Sequence, residues 1–221
     1  MTLPLRLLPC GTGGVLVEIT EPDPDRALRA VLALAAAVRR DPLAGDLVDL
    51  VPAARTLLLT ARPGVAPDRL RQRVVALADR LDPGDPTPPQ RTVTIEVEYG
   101  GWDLAEVADL TGLSRSEVIH AHTATPWQVA FGGFAPGFAY LIGGDPRLAV
   151  PRRTEPRTRV PQGAVGLAGR FSGVYPRESP GGWQVLGVSD VVLWNPDAVP
   201  PALLSPGTQV RFRAVSVSRT R

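Results

Sequence analysis

Apolar positions recur along the chain in more than one rhythm, and each rhythm marks a stretch with its own structure. Residues 14–19 form an apolar run behind the turn Gly11-Thr12-Gly13-Gly14, which predicts a strand. Asp23-Pro24 then supplies a helix cap followed by proline at the first helical position. Leu28, Val31, Leu32, Ala35 and Val38 follow at helical spacing over residues 25–40. Residues 47–51 and 56–60 are short apolar runs suited to strands. Pro67 opens a second helix with Leu70, Val74, Leu77, Ala78 and Leu81 on one face. A β-α-β-β-α order of this size predicts a two-layer, ferredoxin-like α/β sandwich over residues 1–89.

Residues 81–90 read LDPGDPTPPQ and carry no periodicity, so a domain boundary is expected there. After it Val93, Ile95, Val97 and Tyr99 alternate with polar residues, the pattern of a half-buried strand. Asp103 is placed to cap a helix over residues 104–110. Ser114 and Glu117 form a capping box, with Leu113 and Val118 as its hydrophobic staple. Helical spacing then puts His122 on the inward side with Val118 and Ile119, and His120 on a solvated side. Thr125-Pro126 ends this helix. Glycine and proline punctuate residues 127–183 every few positions, which excludes a long helix and predicts short strands and shaped loops. Val210, Phe212 and Ala214 alternate with arginines near the end. Residues 90–221 are therefore expected to be a mostly β domain, a closed or nearly closed barrel. The class is α+β.

Composition narrows the chemistry. All 24 basic residues are arginine, and the absence of lysine excludes a lysine Schiff base, a lysine nucleophile and a phosphate-loop lysine. A net charge of +2 with no dense basic run argues against nucleic acid. A single cysteine, Cys10, rules out an internal disulfide. No leader pattern or membrane-length apolar run is visible, so the expected location is the cytoplasm.

Candidate chemistry is concentrated after residue 120. The turn at residues 11–14 precedes a strand rather than opening a helix, so it reads as a tight turn and not a dinucleotide loop. No metal-ligand set is visible. His122 suits a general acid or base, and equally a buried histidine bonded to a backbone carbonyl. Ser179 lies in Glu178-Ser179-Pro180-Gly181-Gly182, which is not a nucleophile elbow and reads as a turn. Arg152, Arg153, Arg157 and Arg159 alternate with prolines over residues 151–161. Extended backbone would hold their guanidinium groups as forked binders of carboxylate or phosphate, or leave them on a solvated edge beside Glu155.

These motifs are ordered as in a known family. His122, then Phe134-Ala135-Pro136-Gly137-Phe138, Pro151-Arg152, Pro156 to Gly163, Gly173-Val174-Tyr175-Pro176 and Ser179 to Trp183 resemble the B subunit of 5-oxoprolinase. That family is also called allophanate hydrolase subunit 1 and carboxyltransferase subdomain C/D. It includes a KipI-type inhibitor of a sporulation histidine kinase. The resemblance is strong over about residues 91–214 and lies mainly in layout before them.

The resemblance implies a small α/β domain followed by a cyclophilin-like barrel. It implies two partner proteins, a homologous barrel protein (the family's C subunit) and a lactam-utilisation protein (its A subunit). The set would couple ATP hydrolysis to opening of 5-oxoproline. ATP would be bound by the complex rather than by this chain alone. By analogy the cleft lies between two barrels. It would be lined here by Phe134, Pro136, Gly137, Arg152, Arg159, Pro161, Gly163, Tyr175, Ser179, Gly181, Gly182 and Trp183. Arg157 is expected as an anion clamp and His122 as a cleft or loop-orienting residue. Inhibition of a histidine kinase, a urea- or allophanate-related role and prolyl isomerisation are the alternatives on the same framework.

Overall fold

The computed structural model describes residues 3–81 and 91–216. Apart from Leu81, the proline-rich segment at 81–90 lies outside the described residues. The chain divides into two compact units, Met1–Thr87 and Pro88–Arg221.

The first unit contains β1 (Leu5–Cys10), β2 (Gly14–Ile19), α1 (Pro24–Arg40), a 3-10 turn (Pro42–Asp46), β3 (Leu47–Pro52), β4 (Thr56–Ala61) and α2 (Pro67–Ala78). The Asp23 carboxylate caps α1, accepting from the Asp25 and Arg26 amides at 2.9 and 2.8 Å. Leu34 rather than the expected Leu32 is fully buried on α1. Position 34 lies three residues after Val31 and four before Val38, at the centre of the apolar stripe. The sheet order is β1-β2-β4-β3, antiparallel throughout. Val15, Val17, Ile19, Leu57 and Leu59 of the sheet share one core with Val31, Leu34, Val38, Leu70 and Val74 of the helices. Strand β1 is absent from the order expected from sequence. Its run LRLLPC alternates poorly and contains Pro9, which is tolerated because β1 is an edge strand.

The second unit contains β5 (Thr92–Tyr99), α3 (Leu104–Thr111), α4 (Arg115–Ala124), β6 (Trp127–Gly132), β7 (Ala139–Ile142), β8 (Arg157–Val160), β9 (Ala164–Ala168), β10 (Phe171–Val174), β11 (Ser179–Gly181), β12 (Gln184–Val188) and β13 (Gln209–Ala214). Seven of these strands close a barrel in the order β10-β7-β6-β13-β5-β12-β9. The first and last strands run side by side in parallel, from Gln209 opposite Thr92 to Ala214 opposite Val97. Closure removes the free edges that an open sheet would expose. Strands β8 and β11 pair separately as a two-stranded ribbon.

Strand alternation gives this unit two apolar layers. Val165, Leu167, Ala139, Leu141 and Leu186 point into the barrel with Ile95, Val97 and Phe212. Their neighbours Ala164, Ala168, Phe138 and Val185 point outward, under Tyr175 and Trp183. All five residues of β9 are buried because both of its faces are covered. The outer layer carries the candidate site.

Candidate functional site

The outer layer is built from aromatic rings packed edge to face. The Phe138 ring lies 5.6 Å from Tyr175 and 5.3 Å from Trp183, and Phe134 lies 5.2 Å from Phe138 and 5.9 Å from Tyr175. Glycines make the close approaches possible. A Cβ on Gly173 would meet the Phe138 and Trp183 rings, and one on Gly181 would overlap the Tyr175 hydroxyl.

Phe134 stands at the rim. The Ala135 amide donates to the Gly133 carbonyl at 2.7 Å, which makes Phe134 the central residue of a γ-turn. Its φ is +65°, the one positive value among described residues other than glycine. Such a turn costs of order 1 kcal/mol in backbone strain. It leaves the ring 57% exposed at the loop tip.

The four arginines of residues 151–161 divide by partner. Arg157 donates to Asp103 with both terminal nitrogens, Nη1 to Oδ2 at 2.7 Å and Nη2 to Oδ1 at 2.6 Å, and lies 4.9 Å from the centre of the Trp102 ring. Arg153 donates to the same carboxylate at 2.9 Å and to Glu106 at 3.3 Å. Arg159 makes a forked, exposed pair with Glu178 at 3.0 and 2.9 Å. Arg152 alone of the four has no carboxylate partner among the described residues, and its guanidinium lies 5.9 Å from the centre of the Trp183 ring. Arg157, expected as the anion clamp, thus already holds a carboxylate of its own chain. The guanidinium left open for an external anion is Arg152.

Asp103 is the residue that sequence reading misplaced. It stands where a helix cap belongs, yet its side chain makes no cap hydrogen bond. It is 1% exposed and accepts from Arg157, Arg153 and the Val185 amide, the last at 2.7 Å. Burial pushes the Asp103 carboxyl up, but these hydrogen bonds and the two guanidinium charges outweigh it and hold it below the usual carboxylate range. Asp103 raises Arg157 in turn. Trp102, Glu106 and Gln184 complete the cluster, Gln184 donating to Glu106 at 3.2 Å. An aspartate before an apolar helix reads as a cap, so only the fold reveals its arginine partners.

His122 lies elsewhere, inside the barrel and fully buried. Its Nδ1 is 2.7 Å from the Tyr99 hydroxyl, its Nε2 is 2.9 Å from Ser172 Oγ, and its ring stacks on Phe212 at 4.3 Å. The expected backbone-carbonyl partner is replaced by these two hydroxyls. The ring is fully buried, so a role in proton transfer to substrate has no geometric support. The Ser179 hydroxyl donates to the Arg177 carbonyl at 3.4 Å.

Burial pushes the His122 ring down to about 3, so it is neutral in the folded protein. In the unfolded chain it protonates near its ordinary value of 6.5. The unfolded state then binds more protons between those values, and stability should fall as pH drops from about 6.5 toward 3. Denaturant midpoints measured across that window should show this slope, and His122→Phe should flatten it while lowering stability at pH 7.

Other expected site residues take varied places. Pro136 is exposed in the Phe134 loop, and Gly137, at φ +84°, backs onto Leu193 and Trp194. Gly163, at φ +79°, leaves no room for a Cβ against the Ser189 carbonyl. Gly182 lies against Pro156, and Pro161 edges a separate recess beside Trp102. Phe134, Arg152, Tyr175, Gly181 and Trp183 are the members brought together.

Comparisons with known proteins agree with this architecture. Residues 5–204 match the family described as carboxyltransferase domain, subdomain C and D. The chain is 46% identical over 130 residues to the B subunit of 5-oxoprolinase from Bacillus subtilis (strain 168), covering 58% of this chain and 54% of that protein. It is 46% identical over 128 residues to the B subunit of 5-oxoprolinase from Escherichia coli O157:H7, covering 57% and 59%. The match thus spans little more than half the length of these relatives. Among solved structures, that of TTHA0988 superposes with a TM-score of 0.75 at 38% identity over 94% of this chain and 41% of its own. The urea amidolyase of K. lactis superposes with a TM-score of 0.73 at 19% identity, over 97% of this chain and 15% of its own, a likeness of fold alone.

Proposed function

The chain belongs to the carboxyltransferase domain family, subdomains C and D, and from that premise we propose that it is the B subunit of an ATP-dependent 5-oxoprolinase complex. In this reading it contributes half of a cleft between two subunits, in which 5-oxo-L-proline is opened to L-glutamate. The other half comes from the homologous barrel protein, with the lactam-utilisation protein as the third member.

The observation that carries the reading is Arg152. A guanidinium with no carboxylate partner among the described residues, set beside Trp183 in the layer whose rim carries the exposed Phe134, suits a small ligand that joins a carboxylate to a flat ring. A five-membered lactam is a stable amide, and opening it builds negative charge that cationic groups stabilise. Arg152 binds the substrate carboxylate, and the exposed Phe134 ring at the rim of the aromatic layer packs against the lactam. The described residues offer no nucleotide cradle. The chain contains no lysine, and the turn after Cys10 only joins β1 to β2. ATP is therefore left to another member of the complex. In the same reading the barrel is cyclophilin-like, and the first unit is a ferredoxin-like sandwich whose fourth strand stands at the front.

Purified chain mixed with the homologous barrel protein and the lactam-utilisation protein should show ATP hydrolysis that depends on 5-oxoproline, and omitting any one component should abolish it. The reading falls if the full set is inactive while this chain alone blocks autophosphorylation of a histidine kinase.

A further inference from the structure

A second feature of the barrel unit lies outside the aromatic layer and borders the arginine cluster at Trp102. Where β5 ends, the Gly100 and Gly101 amides both donate to the Leu186 carbonyl, at 3.1 and 2.9 Å, and the Asp103 amide donates to Val185 at 3.0 Å. Strand β12 carries a bulge between Val185 and Gly187 at the same point. A Cβ on Gly101 would meet the backbone of β12, and one on Gly187 would meet the Glu98 carbonyl. The turn is thus pinned on both sides, and it encloses a recess of about 170 Å³. Glu98, Tyr99, Trp102, Pro161, Gly187 and Val188 line it.

We propose that this recess is a docking point for a basic side chain, arginine or lysine, presented by a partner polypeptide. Size is the first reason. Small-molecule pockets hold about 300 Å³ or more, so this recess suits one long side chain rather than a metabolite. Exposure is the second. Trp102 is 61% and Val188 40% exposed at the rim, and tryptophan beside a pocket is the residue type on which interfaces concentrate their binding energy. The turn's backbone bonds and the Tyr99–His122 hydrogen bond fix the walls in advance, which lowers the ordering cost of binding.

Charge chooses the occupant. Asp103 and Glu106 are answered by Arg153 and Arg157, so the neighbouring cluster is neutral as a whole. Glu98 has no cationic partner among the described residues, and it leaves this face with an unanswered negative charge. Arg157 covers Trp102 at 4.9 Å, and the remaining exposed ring offers a second cation a stacking surface. Pro161 and Val188 suit the aliphatic stem of the same side chain. The recess requires only a polypeptide partner, so it stands whether or not the complex acts on a lactam.

The probe is acetyl-arginine amide, with acetyl-citrulline amide as its uncharged isostere, titrated into the ¹⁵N-labelled full chain at low salt. The arginine compound should shift the Trp102 indole N–H and the Gly100, Gly101 and Gly187 amides with millimolar affinity. The citrulline compound and the Glu98→Gln variant should each bind about fivefold more weakly, within the range of a solvent-exposed ion pair. Raising the salt should weaken the arginine compound alone. Trp102→Ala should remove the response, with the remaining amide spectrum reporting that the barrel is folded. Equal binding of both compounds, shifts located elsewhere, or no shifts would each overturn the proposal.

Discussion

Replacing Asp103 by alanine should lower the stability of the barrel unit by about 3–5 kcal/mol, the range for breaking a buried ion pair from one side. The side chain is 2% exposed, and it answers two arginines and one backbone amide at once. Its loss leaves Arg157 and Arg153 without their shared anion and the Val185 amide without an acceptor. Much of the cost is thus the penalty of uncompensated charge rather than the worth of the pair. The double variant Asp103→Ala, Arg157→Met should therefore lose less than the sum of the two single changes. Urea unfolding with an unchanged slope would measure both differences. A loss under 1 kcal/mol in the single variant would mean that the pair contributes no more than a surface bridge.

Arg152→Ala should lower kcat/KM for 5-oxoproline in the reconstituted complex by roughly 10- to 100-fold, as expected for losing a charged hydrogen-bond donor to a substrate carboxylate. Stability should change little, because Arg152 is exposed and answers no carboxylate of its own chain among the described residues. Arg159→Ala is the matched control. It removes an arginine from the same segment, but one paired with exposed Glu178. The two variants separate an arginine that meets substrate from one that decorates the ribbon.

Secondary structure was legible wherever one residue's neighbours in sequence are also its neighbours in space. The Asp23 cap, the Ser114–Glu117 capping box and the alternation in β5 are all local, and the structure contains each of them. Strand β1 was not legible because an edge strand tolerates proline and weak alternation. Leu34 shows the same limit on a helix, where a small drift of the stripe changes which leucine is buried.

The site was legible only as a region. The motifs marked the segment that carries Phe134, Arg152, Tyr175 and Trp183, yet spacing could not say which arginine was already taken. That depended on Asp103, 54 residues before Arg157, a contact that no local pattern announces. Nor could spacing distinguish a histidine facing a cleft from one held between Tyr99 and Ser172, which lie 23 residues before and 50 after it.

The central claim is that Arg152 binds the substrate's carboxylate. It is tested most directly by comparing the Arg152→Ala complex on 5-oxoproline and on 2-pyrrolidinone, the same lactam without the carboxylate. Arg152→Ala should reduce kcat/KM for 5-oxoproline severalfold more than for 2-pyrrolidinone, bringing the two substrates together. An equal loss on both, or no loss on either, would contradict it.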